Sequence, residues 1–128
     1  MARQYILAIE HNWRIRKLIR ANLEALGIEV REAVSRQHGL ECLEKGRPDV
    51  ILLDLDLPGG SAVQLLHAVD LQFPASPVPV ILLSAEPPAR SVLQEAHVSG
   101  FLLKPFDASI LVERVRHLLG AVPASGSD

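Results

Sequence analysis

The chain has 128 residues, of which 48% are hydrophobic and 22% charged, and its formal net charge at pH 7 is -2. This length suits one domain whose core needs no disulfide or structural metal. The near-neutral charge argues against a free-standing protein that is drawn to nucleic acid or to anionic lipid by long-range attraction. No apolar run reaches the roughly 20 residues of a membrane span, and Glu10 follows the first apolar run too soon for a signal peptide. We therefore expect a cytoplasmic protein without direct contact with membrane or nucleic acid.

The first half of the chain alternates apolar runs with helical patterns. Residues 5–9 form a short apolar run that ends in charge, which is typical of a buried strand. Residues 28–33 alternate apolar and charged side chains, which predicts a half-exposed edge strand, and Ser35 is the predicted N-cap of a helix running to about Lys45. Between these strands, apolar residues at helical spacing predict a helix that ends at Gly27. Its predicted buried face comprises Ile15, Leu18, Ile19, Leu23 and Leu26.

The third and fourth strands follow the same alternation. Residues 50–53 form the most continuous apolar run, and Ser61 is the predicted N-cap of the next helix. Residues 80–83 form the fourth strand. We expect the helix after it to begin near Pro87-Pro88, because proline is tolerated in a first helical turn.

The last strand and helix complete one domain. Residues 101–103 predict a short fifth strand, and Asp107 is the predicted N-cap of a final helix. The inward face of that helix is predicted to comprise Ile110, Leu111, Val115, Leu118 and Leu119. We expect residues 1–120 to form the domain and residues 121–128 a flexible tail. Five strands alternating with helices predict an α/β fold, a flavodoxin-like (βα)5 doubly wound parallel sheet with helices on both faces.

Polar side chains follow the apolar strands at the point where each strand ends: Glu10, His11, Asp54, Asp56, Ser84 and Lys104. The carboxyl ends of parallel strands meet at one edge of such a sheet, where ligands bind. Carboxylates can hold Mg²⁺, and a carboxylate can attack phosphorus to form an aspartyl phosphate. An ammonium group and a hydroxyl can stabilise the charge of a transferring phosphoryl group. Asp54 is therefore the candidate nucleophile, Lys104 the ammonium group and Ser84 the hydroxyl.

With these residues, the chain from about Tyr5 to Leu119 resembles the receiver domain of bacterial two-component response regulators. The match rests on three motifs: Asp54-Leu55-Asp56-Leu57-Pro58-Gly59, Ser84-Ala85, and Gly100-Phe101-Leu102-Leu103-Lys104-Pro105-Phe106. The resemblance implies a phosphoacceptor signalling domain rather than an enzyme. It makes Asp54 the phosphoacceptor, Lys104 a phosphoryl contact, and Ser84 and Phe101 the switch residues. It also implies a cis peptide bond after Lys104.

The resemblance further implies the partners. A sensor histidine kinase or a phosphotransfer protein would donate the phosphoryl group, and a downstream protein would receive the signal. Receivers commonly dimerise or meet partners through the fourth and fifth helices and the fifth strand, so the resemblance also allows a homodimer. Because the predicted elements use almost all of the sequence, we expect a single-domain regulator that signals by protein contact.

The sequence departs from the family at Glu10-His11, where receivers carry an adjacent acidic pair that binds Mg²⁺. The implied cofactor is Mg²⁺, and the implied ligands are Glu10, Asp54 and the backbone carbonyl of Asp56. An imidazole removes one negative charge and suits Zn²⁺ or other transition metals better than Mg²⁺. Mg²⁺ binding is therefore expected to be weak. Whether His11 is itself a ligand stays open, since a solvent-facing or hydrogen-bonded histidine without metal fits the sequence equally well.

Two other functions stay open. The Glu10-His11 pair supports a pseudo-receiver that binds partners without phosphorylation. The Asp54-x-Asp56 pattern also resembles phosphatases of the haloacid dehalogenase type, although their motif usually has Thr or Val where this chain has Pro58. A basic run in the first helix, comprising Arg14, Arg16, Lys17 and Arg20, is interpreted as a solvated face.

Overall fold

A computed structural model describes residues 4–58 and 61–120; the predicted tail at residues 121–128 lies outside the described residues. Strands and helices alternate along the chain in the order β1 (Tyr5–Ile9), α1 (Trp13–Glu24), β2 (Glu29–Ala33), α2 (Arg36–Leu43), β3 (Val50–Asp54), α3 (Ala62–Gln72), β4 (Val80–Ser84), α4 (Arg90–Leu93), β5 (Val98–Leu103) and α5 (Ala108–Leu118). The strands form one parallel sheet in the order β2-β1-β3-β4-β5. The predicted doubly wound α/β fold is confirmed.

The alternation of side chains along the strands divides the core into two apolar layers. One layer lies between the sheet and α2 and α3, and it includes Leu7, Ile9, Leu53, Leu65, Val69 and Leu82. The other lies against α1 and α5, and it includes Ile6, Ile19, Leu23, Leu52, Leu83, Leu111 and Val115. Because β1, β3 and β4 are covered on both faces, every residue in them is buried. Their near-continuous apolar sequences are typical of strands inside a parallel sheet.

Polar caps place the starts of the long helices. The side chain of Ser35 accepts a hydrogen bond from the N–H of His38, and Ser61 and Asp107 accept bonds from first-turn N–H groups of α3 and α5. These three predicted caps are confirmed. Asn12 caps α1 in the same way by accepting from Arg14 N–H, which the sequence pattern did not identify. Each cap satisfies a backbone donor that has no partner within its helix.

Three local predictions are wrong. Leu26 follows the last turn of α1 and is 46% exposed, and Ile110 on α5 is 42% exposed. The fourth helix begins at Arg90 with Ala89 as its N-cap, and this cap makes no side-chain hydrogen bond. Pro87-Pro88 therefore precedes this helix, because a residue before proline is pushed away from helical geometry. The helix has only four residues.

The fifth strand is longer than predicted and begins at Val98. Its pairing with β4 shifts register between Val80 and Ile81, so that Ile81 pairs with Gly100. Gly100 has a φ of 145°, which side-chain-bearing residues rarely adopt, so glycine suits this irregular position. Beyond the shift, Leu82 pairs with Phe101 and Ser84 with Leu103. This register carries Lys104 to the same sheet edge as Ser84.

Candidate functional site

The carboxyl ends of β1, β3, β4 and β5 gather the predicted site residues. Glu10 follows β1, Asp54 ends β3, Ser84 ends β4 and Lys104 follows β5. Of the described residues, Glu10, Asp54 and Ser84 are the buried polar or charged side chains. Burial of two carboxylates is costly unless other groups stabilise their charge. Buried carboxylates at the predicted edge of the sheet therefore indicate a functional site there.

Asp54 lies at the centre of this cluster and is 1% exposed. Its Oδ1 accepts hydrogen bonds from Nζ of Lys104 at 2.8 Å and from the N–H of Asp56 at 2.8 Å. Its Oδ2 accepts from the N–H of His11 at 3.2 Å and is also hydrogen-bonded to Nδ1 of that imidazole. Burial by itself raises the pKa of Asp54, but the hydrogen bonds from Lys104 and His11 outweigh it and hold the pKa below its ordinary value. Asp54 is therefore an ionised carboxylate at neutral pH.

Glu10 is fully buried beside Asp54. Its Oε2 accepts a hydrogen bond from the N–H of Asn12 at 3.1 Å and from Nζ of Lys104 at 3.2 Å. Its Oε1 lies 3.1 Å from the same Nζ but receives no well-directed hydrogen bond, so that contact is mainly electrostatic. Burial raises the pKa of Glu10, the Asn12 N–H opposes this rise, and the charge of Asp54 adds to it. Glu10 is thus the more easily protonated of the two carboxylates.

Lys104 bridges the two buried carboxylates. Its side chain is 12% exposed, and its backbone N–H donates to the carbonyl of Ser84 at 2.8 Å, which ties β5 to β4. Burial alone would lower the pKa of the ammonium group, but the hydrogen bond to Asp54 and the charge of Glu10 raise it. The Lys104–Pro105 peptide bond is cis, as the resemblance implies. The site therefore holds a permanent positive charge beside Asp54.

His11 lies at the mouth of the site, with 45% of its side chain exposed. Its Nδ1 contacts Oδ2 of Asp54 and lies 3.5 Å from Oε2 of Glu10. The imidazole is therefore hydrogen-bonded to Asp54, and a metal-ligand role of His11 stays a prediction. Because the imidazole is half exposed, it can swing away from Asp54 without disturbing the core.

Asp56 connects the loops that follow β3 and β4. Its carboxylate is exposed, accepts a hydrogen bond from the N–H of Ala85 at 3.0 Å, and lies 3.4 Å from Nζ of Lys104. This side chain links the two loops by a hydrogen bond and adds negative charge near the ammonium group of Lys104. Its backbone carbonyl as a metal ligand stays a prediction.

The two predicted switch residues lie on adjacent strands. Ser84 is 5% exposed, and its hydroxyl donates to the backbone carbonyl of Glu86 and accepts from the N–H of the same residue at 3.3 Å. Phe101 is half-buried against the core layer that contains Leu82, and its carbonyl accepts a hydrogen bond from Arg114 at 3.3 Å. The hydroxyl is thus bonded within its own loop, and the ring packs against the core layer.

Sequence reasoning missed Arg16, which holds the loop after β1. Its Nη1 donates to the carbonyl oxygens of Glu10 at 2.9 Å and His11 at 3.0 Å, while its Nε donates to Glu32 at 2.8 Å. Arg20 donates to the same carboxylate at 2.6 Å. The interpretation of this basic run as a solvated face is therefore wrong for these two arginines. The available signal was Glu32 in the predicted edge strand, although spacing alone does not pair it with a helix.

Glu10, His11 and Asp54 could hold a cation, because their ligand atoms lie within 4.8 Å of one another. Carboxylate oxygens suit Mg²⁺, whereas an imidazole nitrogen suits transition metals. The donor set therefore fits a divalent cation, but it provides fewer oxygen ligands for Mg²⁺ than an acidic pair with Asp54 would.

Comparison with known proteins agrees with this geometry. Residues 6–116 match the response regulator receiver domain family. The chain is 36% identical over 117 residues to the transcriptional regulatory protein CseB of Streptomyces coelicolor. The aligned region covers 90% of this chain and 49% of that protein. The chain thus spans about half the length of the curated relatives it matches.

Solved structures show the same fold. The chemotaxis protein CheY4 of Vibrio cholerae superimposes with a TM-score of 0.80 at 25% identity, covering 92% of this chain and 100% of that one. A CheY-like receiver domain protein from Methanospirillum hungatei has a TM-score of 0.83 at 23% identity, covering 94% and 96% of the two chains.

The chain belongs to the response regulator receiver domain family of two-component signalling. Members are phosphoacceptor signalling modules rather than enzymes, so the phosphatase alternative loses its support. Receiver domains bind Mg²⁺. Over residues 4–58 and 61–120, no helix combines the length and the apolar character needed to cross a membrane.

Proposed function

We propose that Asp54 accepts a phosphoryl group from a phosphohistidine of a sensor histidine kinase or phosphotransfer protein. The observation that carries this proposal is a buried, ionised carboxylate at a strand end with an ammonium nitrogen 2.8 Å from one oxygen. A carboxylate oxygen attacks phosphorus, the phosphorus–nitrogen bond breaks, and the leaving imidazole takes up a proton. The product is an aspartyl phosphate.

The site residues have distinct parts in this reaction. Lys104 stabilises negative charge on the phosphoryl oxygens, and its place between two carboxylates keeps the ammonium group oriented. His11 covers Oδ2 of Asp54 and must move outward before a donor reaches that oxygen. A divalent cation held by Glu10, Asp54 and the backbone carbonyl of Asp56 would neutralise phosphoryl charge when bound.

The signal leaves through the switch residues in this proposal. Ser84 exchanges its bond to the Glu86 carbonyl for a phosphoryl oxygen, and Phe101 repacks against the core layer that contains Leu82. The phosphoryl group thereby favours one of two pre-existing arrangements of the surface formed by α4, β5 and α5. A downstream protein binds that surface, and the same surface would support a homodimer. That the chain acts as a single-domain regulator stays a prediction.

Intact mass spectrometry after treatment with acetyl phosphate tests the proposal. We expect one added phosphoryl group on the wild-type chain and none on Asp54→Asn. Asp70→Asn, which changes an aspartate on α3 away from the site, is the matched control and should be labelled like the wild type. Labelling of Asp54→Asn to the same extent would overturn the assignment.

A second function, the phosphorylation-independent pseudo-receiver, is favoured by one observation. The imidazole of His11 occupies Oδ2 of Asp54 with a hydrogen bond that a passing phosphodonor must break. In this alternative no donor adds a phosphoryl group, and Asp54→Asn leaves partner binding unchanged. Amide NMR shifts around Ser84 on addition of beryllofluoride and Mg²⁺ would favour the phosphoacceptor instead.

A further inference from the structure

We propose that the Glu10–His11–Asp54 cluster binds a first-row transition-metal ion such as Co²⁺ or Zn²⁺ more tightly than Mg²⁺, with Nδ1 of His11 as a ligand. This inference deepens the proposed function and rests on it for the role of the ion. Binding of the ion is measured without any phosphodonor, so the two claims can fail separately.

The geometry of the three side chains supports a mixed nitrogen and oxygen site. Nδ1 of His11 lies 3.5 Å from Oε2 of Glu10 and directly beside Oδ2 of Asp54. Ligand atoms around a tetrahedral ion with bonds of about 2.0–2.1 Å are about 3.3 Å apart. The separation of Nδ1 from Oε2 of Glu10 is close to this value, whereas Nδ1 and Oδ2 of Asp54 are in direct hydrogen-bond contact and lie closer than this. An outward turn of the half-exposed imidazole would therefore be needed to admit an ion. The hydrogen of the neutral imidazole would then reside on Nε2.

The buried carboxylates provide a second observation. Glu10 is fully buried, yet its Oε1 has no well-directed hydrogen bond. The two carboxylate oxygens of Asp54 have different partners, since Oδ1 accepts from Lys104 while Oδ2 faces His11. An ion beside His11 would therefore meet carboxylate oxygens without displacing the ammonium group from Oδ1.

The backbone that carries the ligands is fixed in advance. Arg16 donates to the carbonyls of both Glu10 and His11, and the Glu32 carboxylate holds its guanidinium in place. Asn12, the next residue, is the N-cap of α1. Adjacent ligands on a held loop lose little freedom when an ion binds, which favours affinity.

Charge and donor chemistry decide which ion is preferred. With a neutral imidazole, Glu10, Asp54 and Lys104 together carry one net negative charge, whereas a carboxylate in place of His11 would make it two. Mg²⁺ depends on hard oxygen ligands and on that negative charge. An imidazole in place of a carboxylate therefore weakens the binding of Mg²⁺ more than that of a transition-metal ion. Zn²⁺ and Co²⁺ accept imidazole nitrogen readily, and they bind nitrogen and oxygen donors more tightly in general.

The test uses the purified full chain, with Co²⁺ as a spectroscopic probe and Mg²⁺ as competitor. We expect the visible absorption of Co²⁺ to change on binding, and Mg²⁺ to displace it only at concentrations at least about tenfold higher. His11→Ala should weaken Co²⁺ binding at least about tenfold, as loss of an orienting or ligating group does. His11→Asp should strengthen Mg²⁺ binding and weaken that of Co²⁺. His38→Ala, which removes an exposed histidine on α2, is the matched control.

Two results would overturn the inference: Mg²⁺ binding as tight as Co²⁺ binding in the wild type, or unchanged Co²⁺ binding in His11→Ala. Circular dichroism confirms that each variant folds. If Co²⁺ binds through His11 but acetyl phosphate adds no phosphoryl group, the ion site stands and the phosphoacceptor proposal fails. If acetyl phosphate labels the chain in the presence of Mg²⁺ but His11→Ala changes no ion affinity, the phosphoacceptor proposal stands and the ion site fails.

Discussion

Lys104→Met tests whether one ammonium group stabilises two buried carboxylates. Nζ lies 2.8 Å from Oδ1 of Asp54 and 3.1 Å from Oε1 of Glu10, and the lysine side chain is 12% exposed. A hydrogen bond to a charged group contributes about 1.5–3 kcal/mol, and removing one partner of a buried ion pair costs about 3–5 kcal/mol. Glu10 limits the loss, because burial already raises its pKa and a proton there relieves the repulsion. We therefore expect the free energy of unfolding to fall by about 3 kcal/mol near neutral pH.

The assay is urea unfolding followed by far-UV circular dichroism, near neutral pH and at about pH 5. The loss should be smaller at the lower pH, because protonation of Glu10 removes one of the two facing charges. Lys104→Met/Glu10→Gln should be more stable than the single variant for the same reason. Lys17→Met, on the exposed face of α1, should change stability by less than about 0.5 kcal/mol. A loss under about 1 kcal/mol for Lys104→Met, or a double variant no more stable than the single one, would refute the reasoning.

Three further changes test the fold by the same unfolding assay. A Cβ on Gly39 would lie 2.7 Å from Cδ1 of fully buried Ile9, so Gly39→Ala should cost about 1 kcal/mol despite better helix propensity; Ile9→Val, which removes that carbon, should reduce the cost, and an unchanged or stabilised Gly39→Ala would contradict the packing. Ser61→Ala removes the cap of α3 and should cost about 1 kcal/mol, whereas Ser61→Asp should retain most of the stability; equal stability of the alanine variant would contradict the cap. Burial raises the pKa of Glu32, but hydrogen bonds from two arginines of α1 outweigh it and lower the pKa. The stability that Glu32 contributes is therefore fully present above pH 4.5 and is lost as the pH falls through the lower pKa of the folded state. Glu32→Gln should flatten the stability profile in that acid range, and an unchanged profile would count against the pairing.

The alternation of strands and helices and the chemistry at the strand ends were predictable from the sequence. Near-continuous apolar runs predict buried parallel strands, and polar residues directly after them predict Asp54 and Lys104 at one edge. The caps at Ser35, Ser61 and Asp107 were equally predictable. Each of these signals depends on residues close together in the chain, where spacing and local hydrogen bonding are sufficient.

The contacts that hold and cover the site depend on the packed fold and were not predictable from the sequence. The hydrogen bond of His11 joins residues 43 positions apart, and the contact of Lys104 with Glu10 joins residues 94 positions apart. Arg16 reaches the β1 loop because α1 packs beside β2, which brings Glu32 to its guanidinium. Such contacts arise when buried faces pack and buried charges find partners, so no local pattern encodes them. The same packing placed an imidazole against the candidate phosphoacceptor, where the sequence showed only that a carboxylate was replaced.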